Sequence, residues 1–315
     1  MALRNLLFNF GILPSKTYSI SSVGVGNLSM GGTGKSVVVM YLIKLFKKDH
    51  PVAVLSRGYG RKTKGLVMGG TNENASTLGD EPYQFLRRYP DTAVVVSEKR
   101  TLGMKALEKM TPPRKVILDD VMQHRWVRPK LMIMTTSFER PYFEDFVVPM
   151  GGLREFQWGV KRADILLITR SPEDLSELQK EQYLKKIKVN IPVFFTKINY
   201  ADVWSQNNKR INSTVLEEDF LLVTGIANPN HLVDHLKKNY NAFDHLKFKD
   251  HHDYSDSDCQ MIQDRAGKRI ILTTEKDYVK LVRVLDSKKL YCIPIELEFV
   301  SEEERNLFDK MVKAV

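Results

Sequence analysis

The sequence predicts an α/β chain: a P-loop NTPase-type domain with a mostly parallel sheet, followed by a smaller α/β C-terminal domain. Three observations predict it. Short apolar runs alternate with helical stretches along most of the chain, the pattern of strands joined by crossover helices. The stretch VGNLSMGGTGKS, residues 25–36, nearly spells a phosphate-binding loop and stands between an apolar strand and a long helical run. The alternation is broken once, by the polar segment 199–212, and then resumes.

In chain order, Leu3, Leu6, Leu7 and Phe10 come first, at helical spacing, with Arg4, Asn5 and Asn9 on other faces. Periodicity alone leaves two readings open, a short helix lying in a membrane interface or one packed on the domain. Strands are expected at residues 18–25, 52–56, 93–96, 115–118, 131–134, 165–169 and 193–196, and helices at 35–48, 81–88, 99–110 and 176–187. Beyond the polar segment, strands at 220–224, 246–248, 270–273 and 290–293 interleave with helices at 229–239, 256–266 and 302–315. The expected division is a P-loop domain over residues 1–200, a linker over 201–218 and a smaller domain over 219–315 that closes the active-site cleft.

Composition narrows the function classes. The 315 residues are 43% hydrophobic and 27% charged, as in an ordinary globular protein. Two distant cysteines, Cys259 and Cys292, exclude a disulfide framework and a cysteine metal site. The longest apolar run, 37–43, is too short to span a bilayer, and no cleavable signal pattern is present. Net charge is +10, concentrated at the front: residues 1–65 hold ten Lys/Arg against the single acid Asp49. Such a basic end suits polyphosphate, an anionic membrane surface or a nucleic acid. No basic stretch interleaved with aromatics supports the last, so nucleic acid is not expected as a partner.

The candidate nucleotide-binding residues are Ser29, Met30, Gly31, Gly32, Thr33, Gly34, Lys35 and Ser36. Glycines let the backbone wrap closely around phosphates, Lys35 reaches the β- and γ-phosphates, and the Ser36 hydroxyl completes a Mg²⁺ shell. Ser29 stands where the first glycine of G-x-x-x-x-G-K-S/T belongs, away from the part that must approach phosphate. A P-loop fold also needs a carboxylate at the end of an apolar strand, and Val116-Ile117-Leu118-Asp119-Asp120 supplies two. Successive strand residues face opposite sides, so only one can point straight at the metal.

Three further clusters are unusual for a nucleotide switch. Gly79-Asp80-Glu81-Pro82 sets paired acids at a helix start, where capping by Asp80 is the ordinary explanation. Gln123-His124-Arg125 follows the acid pair. Leu153-Arg154-Glu155 stands behind a glycine turn, a place where an Arg–Glu pair is commonly a surface ion pair.

With SRGYGR (56–61), LGDEP (78–82), DDVMQHR (119–125), PMGGLRE (149–155), GIANP (225–229), FKDHHDY (248–254) and TTEKD (273–277), these residues resemble, in this order, the tetraacyldisaccharide 4'-kinase family of lipid A biosynthesis. The resemblance runs from about residue 19 to about residue 280. It implies transfer of phosphate from ATP to the 4'-hydroxyl of an acylated glucosamine disaccharide 1-phosphate, giving lipid IVA, at the cytoplasmic face of the bacterial inner membrane. It implies ATP and Mg²⁺ as cofactors, with Lys35 on phosphate and Ser36 on Mg²⁺. Asp119 and Asp120 correspond to the acidic metal-site pair, Asp119 as the metal ligand and Asp120 among the catalytic residues, and His124 lies close to the transferred phosphate. Asp80 corresponds to the base, His251 to a histidine that pairs with it, and Arg154 and Glu155 to active-site residues.

Two departures from the family pattern bear on these assignments. Val121 stands where the family has a residue tolerant of unusual backbone angles. Ahead of the first strand there are only about sixteen residues, against a longer membrane-seating helix in the family. Either the sequence is truncated or misread at its start, or the short segment with the local positive charge suffices for reversible peripheral attachment to an anionic surface, without insertion. The expected assembly is a monomer. The alternative reading is a P-loop switch or partition-type ATPase that hydrolyses ATP without a sugar acceptor.

Overall fold

The computed structural model describes residues 2–111, 114–205, 216, 218–240, 242–250, 252–285 and 288–315. They form two compact units, Met1–Asn199 with Glu296–Val315, and Tyr200–Ile295. The apolar runs of the larger unit become β1 (Ser22–Gly26), β2 (Val52–Ser56), β3 (Val67–Met68), β4 (Ala93–Val96), β5 (Lys115–Asp119), β6 (Leu131–Ser137), β7 (Ile165–Thr169) and β8 (Val193–Tyr200). The smaller unit contributes β9 (Phe220–Thr224), β10 (Phe243–Lys247), β11 (Ile270–Thr274) and β12 (Leu290–Ile293), and the chain then re-enters the first sheet as β13 (Ile295–Phe299).

The larger sheet runs β13-β8-β7-β6-β1-β5-β2-β4-β3. From β8 to β4 every neighbouring pair is parallel, while the two-residue β3 runs antiparallel to β4. β1, β2, β6 and β7 are buried along their whole length. Strands covered on both faces read as continuous apolar runs, which is why Ile165-Leu166-Leu167-Ile168 shows no alternation. Parallel strands end on a common edge, so the loops after β1, β2, β4, β5 and β7 gather there.

The helix Lys35–Phe46 buries Val37, Val38, Val39, Met40, Leu42, Ile43, Leu45 and Phe46, more than a single face. The terminal helix Glu302–Lys313 packs against it. The Tyr41 hydroxyl donates to Asp309 at 2.6 Å, and the Tyr41 ring meets Phe299 and Phe308 edge-on. Residues 296–315 therefore belong to the larger unit, which corrects the expected boundary at residue 315. The physical reason is in the sequence: SVVVMYLIKLF is apolar almost all round and needs a second wall.

The smaller unit is a four-stranded parallel sheet, β10-β9-β11-β12. Of the expected linker, residues 206–215 and 217 lie outside the described residues. Ala201 and Trp204 hydrogen-bond through their backbones to Pro294 and Cys292, extending the unit's edge. Asp277 of TTEKD is a buried hub: it accepts from the Gly225 N–H at 2.9 Å, the Tyr254 hydroxyl at 2.9 Å and the Thr274 hydroxyl at 2.7 Å. Three of the quoted motifs, GIANP, FKDHHDY and TTEKD, thus meet at one carboxylate. His252 stacks on Phe248 and bonds Asp258 at 3.0 Å, while His251 lies outside the described residues.

Candidate active site

The loop after β1 is shaped by its buried polar residues. Asn27 donates from Nδ2 to the Thr33 hydroxyl at 2.8 Å, Thr33 meets the Thr135 hydroxyl at 2.8 Å, and Thr169 donates to the Thr33 carbonyl at 3.0 Å. The Thr33 side chain is therefore an anchor, while Met30, Gly31 and Gly32 at the tip are exposed. Gly34 caps the helix in a left-handed conformation, φ 80°, so the helix begins at Lys35 with its positive end toward the loop. The loop's opening explains the departure at Ser29. Ser29 forms a bridge with Leu153; the Met30 N–H donates to the Gly152 carbonyl at 2.6 Å, and the Arg154 N–H donates to the Leu28 carbonyl at 2.7 Å. PMGGLRE is thereby laid alongside the loop as a short strand-like rung.

That rung fixes Arg154. Its guanidinium makes a two-pronged contact with Asp120, Nη1 to Oδ2 at 2.9 Å and Nη2 to Oδ1 at 2.8 Å, and Nη2 also donates to the Asn27 side chain. Lys35 Nζ is 3.6 Å from Asp120 Oδ1. Burial alone would raise the Asp120 pKa; the Arg154 hydrogen bonds and the Lys35 charge outweigh it and hold the carboxylate well below the usual range.

The acid pair divides as strand alternation requires, aided by a left-handed backbone at Asp120, φ 47°. The unusual angle falls at Asp120, and Val121 is an ordinary buried core residue. Asp119 turns toward β2, where Ser56 donates to its Oδ2 at 2.8 Å. Its Oδ1 is buried with no hydrogen-bond partner. Burial first, then the charges of Glu81 and Asp120, push the Asp119 pKa upward.

Glu81 is the residue that the sequence quoted without giving it a role. The Ser36 hydroxyl donates to its Oε1 at 2.5 Å. Its position follows from Gly79, whose φ of 95° and close approach to the Gly58–Tyr59 backbone admit no side chain; a Cβ there would lie 2.7 Å from the Tyr59 carbonyl oxygen. SRGYGR and LGDEP therefore pack backbone to backbone. Gly79 also occupies the cap position of the helix Asp80–Arg88, so Asp80 is the first helical residue and not its cap. Asp80 stands half-buried one residue before Glu81.

Other predicted residues sit differently. His124 donates from Nε2 to the Glu98 carbonyl at 2.9 Å, and its Nδ1 is buried without a partner. Burial and the neighbouring Arg100 charge lower its pKa. Glu155 is buried and fully engaged: it accepts from Asn5 at 2.7 Å, Gln123 at 3.0 Å and Arg162 at 2.6 Å. It ties the first helix to the loop after β5 and does not join the acid corner. Arg100, missed in the sequence, is fully buried behind the corner and donates to the Ser97 carbonyl at 2.9 Å. Burial pushes its pKa down to about 10 against the pull of Asp119 and Asp120. Nothing in the run SEKR separates it from a surface arginine.

Among the described residues no group of three or more His, Cys, Asp or Glu forms a ready metal cage. Magnesium does not require one, since it keeps waters and takes one or two carboxylates with substrate phosphates. The corner suits it: an unpartnered buried Asp119 oxygen, a hydroxyl from Ser36 and a carboxylate from Glu81.

A sequence model described as Tetraacyldisaccharide-1-P 4'-kinase matches residues 1–314. The chain is 39% identical over 307 residues to the tetraacyldisaccharide 4'-kinase of Flavobacterium johnsoniae, covering 96% of this chain and 90% of that one. It is 37% identical over 329 residues to that of Bacteroides thetaiotaomicron, covering 96% and 87%. In structure it is similar to the "apo" form of LpxK from Aquifex aeolicus crystallised with ATP, with a TM-score of 0.79, 29% identity, and 99% and 94% of the two chains covered.

Proposed function

The chain belongs to the tetraacyldisaccharide-1-P 4'-kinase family, and from that premise we propose that it uses ATP and Mg²⁺ to phosphorylate the 4'-hydroxyl of tetraacyldisaccharide 1-phosphate, giving lipid IVA in lipid A biosynthesis. The observation that carries this reading is the junction of Lys35 and Ser36 with an acid corner of Asp119, Asp120 and Glu81. Magnesium would be held by Ser36, Asp119 and Glu81, and when bound it neutralises charge on the β- and γ-phosphate oxygens. Lys35 lies on the phosphates, and Arg154 keeps Asp120 ionised and in place beside it. The 4'-oxygen attacks the γ-phosphorus, the bond to the ADP oxygen breaks, and the hydroxyl proton passes to the Asp80 carboxylate. Because the transition state is loose, that proton leaves late and a weak base suffices. His251 is the partner of Asp80 in this reading. His124, through its free Nδ1, is assigned beside the transferred group, and Glu155 holds the loop that carries it.

The same reading sets the enzyme at the cytoplasmic face of the inner membrane, peripherally and as a monomer. No helix among the described residues is long and apolar enough to cross a membrane. The first helix, Ala2–Asn9, settles on the domain through Asn5 and Phe8, both buried, while Leu3, Leu6 and Phe10 stay exposed. An outward apolar stripe beside Arg4, Lys16 and Arg125 supports contact with an anionic lipid surface. The test is a mixed-micelle assay with the acylated disaccharide 1-phosphate. Lys35→Ala and Asp80→Ala are expected to abolish transfer while the variants melt like the parent. Full activity in either would overturn the assigned roles.

A further inference from the structure

At the carboxyl end of β7, Arg170 takes a left-handed backbone conformation, φ 56°, rare for a residue with a side chain. Its side chain lies over the phosphate loop: a Cβ built on Gly32 would come 3.2 Å from Arg170 Nη2. Lys35 and Arg154 at this edge are engaged with Asp120, and Arg100 with backbone carbonyls. Among the described residues the Arg170 guanidinium makes no hydrogen bond or ion pair, and its Nε is buried without a partner. The neighbouring Ser171 hydroxyl is also buried without one. A strained residue that holds an uncompensated cation against a glycine loop is placed for a ligand that the protein alone does not supply.

The sheet order says which part of the ligand. Asp119, Ser56 and Glu81 lie on the β5–β2 side of the loop, and Arg170 lies on the opposite side, beyond β6. From β5 to β7 is three strand spacings, about 14 Å. A triphosphate with its terminal group at the acid corner is shorter than that span. A nucleotide lying along the edge toward β7 would therefore bring its nucleoside end, and not its terminal phosphate, to Arg170, which is rooted at β7 and reaches Gly32. We propose that Arg170 and Ser171 form the nucleoside-side subsite, Arg170 donating to the ribose or stacking its planar guanidinium on the adenine face. This rests on the nucleotide reading of the loop. It adds a residue pair that sets where the base lies and which the loop motif does not contain.

The test is equilibrium binding of two probes to the full chain, magnesium–ATP and magnesium–tripolyphosphate, for the parent, Arg170→Ala and Arg170→Lys. Arg170→Ala is expected to weaken ATP about tenfold, about 1.4 kcal/mol, and tripolyphosphate less than about twofold, with Arg170→Lys between parent and alanine. In the lipid kinase assay the same loss appears in the KM for ATP, with kcat at saturating ATP kept within about threefold. Equal loss for both probes places the guanidinium on the phosphates and overturns the assignment, as does unchanged ATP binding. A parent chain that binds tripolyphosphate but not ATP overturns it too. Failure of the parent to bind either probe overturns the nucleotide reading itself. Thermal melts of both variants separate weakened binding from misfolding.

Discussion

Replacing Asp119 with asparagine probes the acid corner without touching the phosphate loop. Asp119 is 1% exposed, takes the Ser56 hydroxyl on one oxygen, and has its pKa raised by burial and by the charges of Glu81 and Asp120. A carboxyl whose pKa rises on folding binds its proton more tightly in the native state than in the unfolded chain. Its ionisation therefore costs stability as pH rises from the unfolded value, about 4, through the folded one, and the full cost is present above that. Asp119→Asn removes the charge and still accepts the Ser56 hydroxyl through its amide oxygen. Relieving one buried, crowded carboxylate is worth about 2 kcal/mol, which raises the apparent Tm by roughly 4 °C for a chain of this size. The assay is thermal unfolding in chelator at pH 8 and pH 5. The variant should melt higher than the parent at pH 8, and the gain should shrink at pH 5, where the parent's Asp119 is itself protonated. Adding Mg²⁺ with ATP should raise the parent's Tm more than the variant's, and the variant's kcat should fall by about a hundredfold or more. A variant less stable at pH 8, an equal gain at both pH values, or an equal response to Mg²⁺–ATP would refute the reasoning.

Removing the two-pronged contact in Arg154→Ala should raise the Asp120 pKa and lower kcat, shifting the acid limb of the pH–rate profile upward, with Arg154→Lys intermediate. An unshifted profile would remove Arg154 from control of Asp120. Gly79→Ala, forced against the Tyr59 carbonyl, should displace Asp80 and Glu81 and lower kcat by at least about tenfold, with a fall in Tm of several degrees; parental kcat would contradict the packing. Glu155→Ala leaves donors from Asn5, Gln123 and Arg162 unpaired and should cost about 3 kcal/mol in denaturant unfolding, whereas a purely catalytic glutamate would lose kcat at parental stability. Replacing Leu3, Leu6 and Phe10 together with serine should weaken sedimentation with anionic vesicles and leave turnover in detergent micelles unchanged; unaltered vesicle binding would show that the stripe is not the contact.

Much of this site is legible in the sequence because its parts are local. The loop, its strand and its helix are contiguous, and the acid pair ends an apolar run, so spacing alone brings Lys35, Ser36, Asp119 and Asp120 to one edge. What spacing cannot reveal is which elements meet across the fold. Glu81 reaches Ser36 because Gly79 packs on Gly58 and Tyr59, a contact between distant segments that neither motif encodes alone. Ser29 is a departure from the loop pattern until its bridge to Leu153 is seen. The return of residues 296–315 to the first sheet was signalled only by the excess apolar surface of the helix at 35–46. Arg170 and Arg100 carry no local signature, since their meaning comes from neighbours on other strands.

The most direct measurement follows the γ-phosphorus of labelled ATP through the purified full chain supplied with acylated disaccharide 1-phosphate in detergent. Label appearing as a phosphate monoester at the 4'-position, dependent on Mg²⁺ and lost in Lys35→Ala, is the predicted result. Label released only as inorganic phosphate, at a rate indifferent to the lipid, would mean an ATPase with no sugar acceptor and would contradict the account.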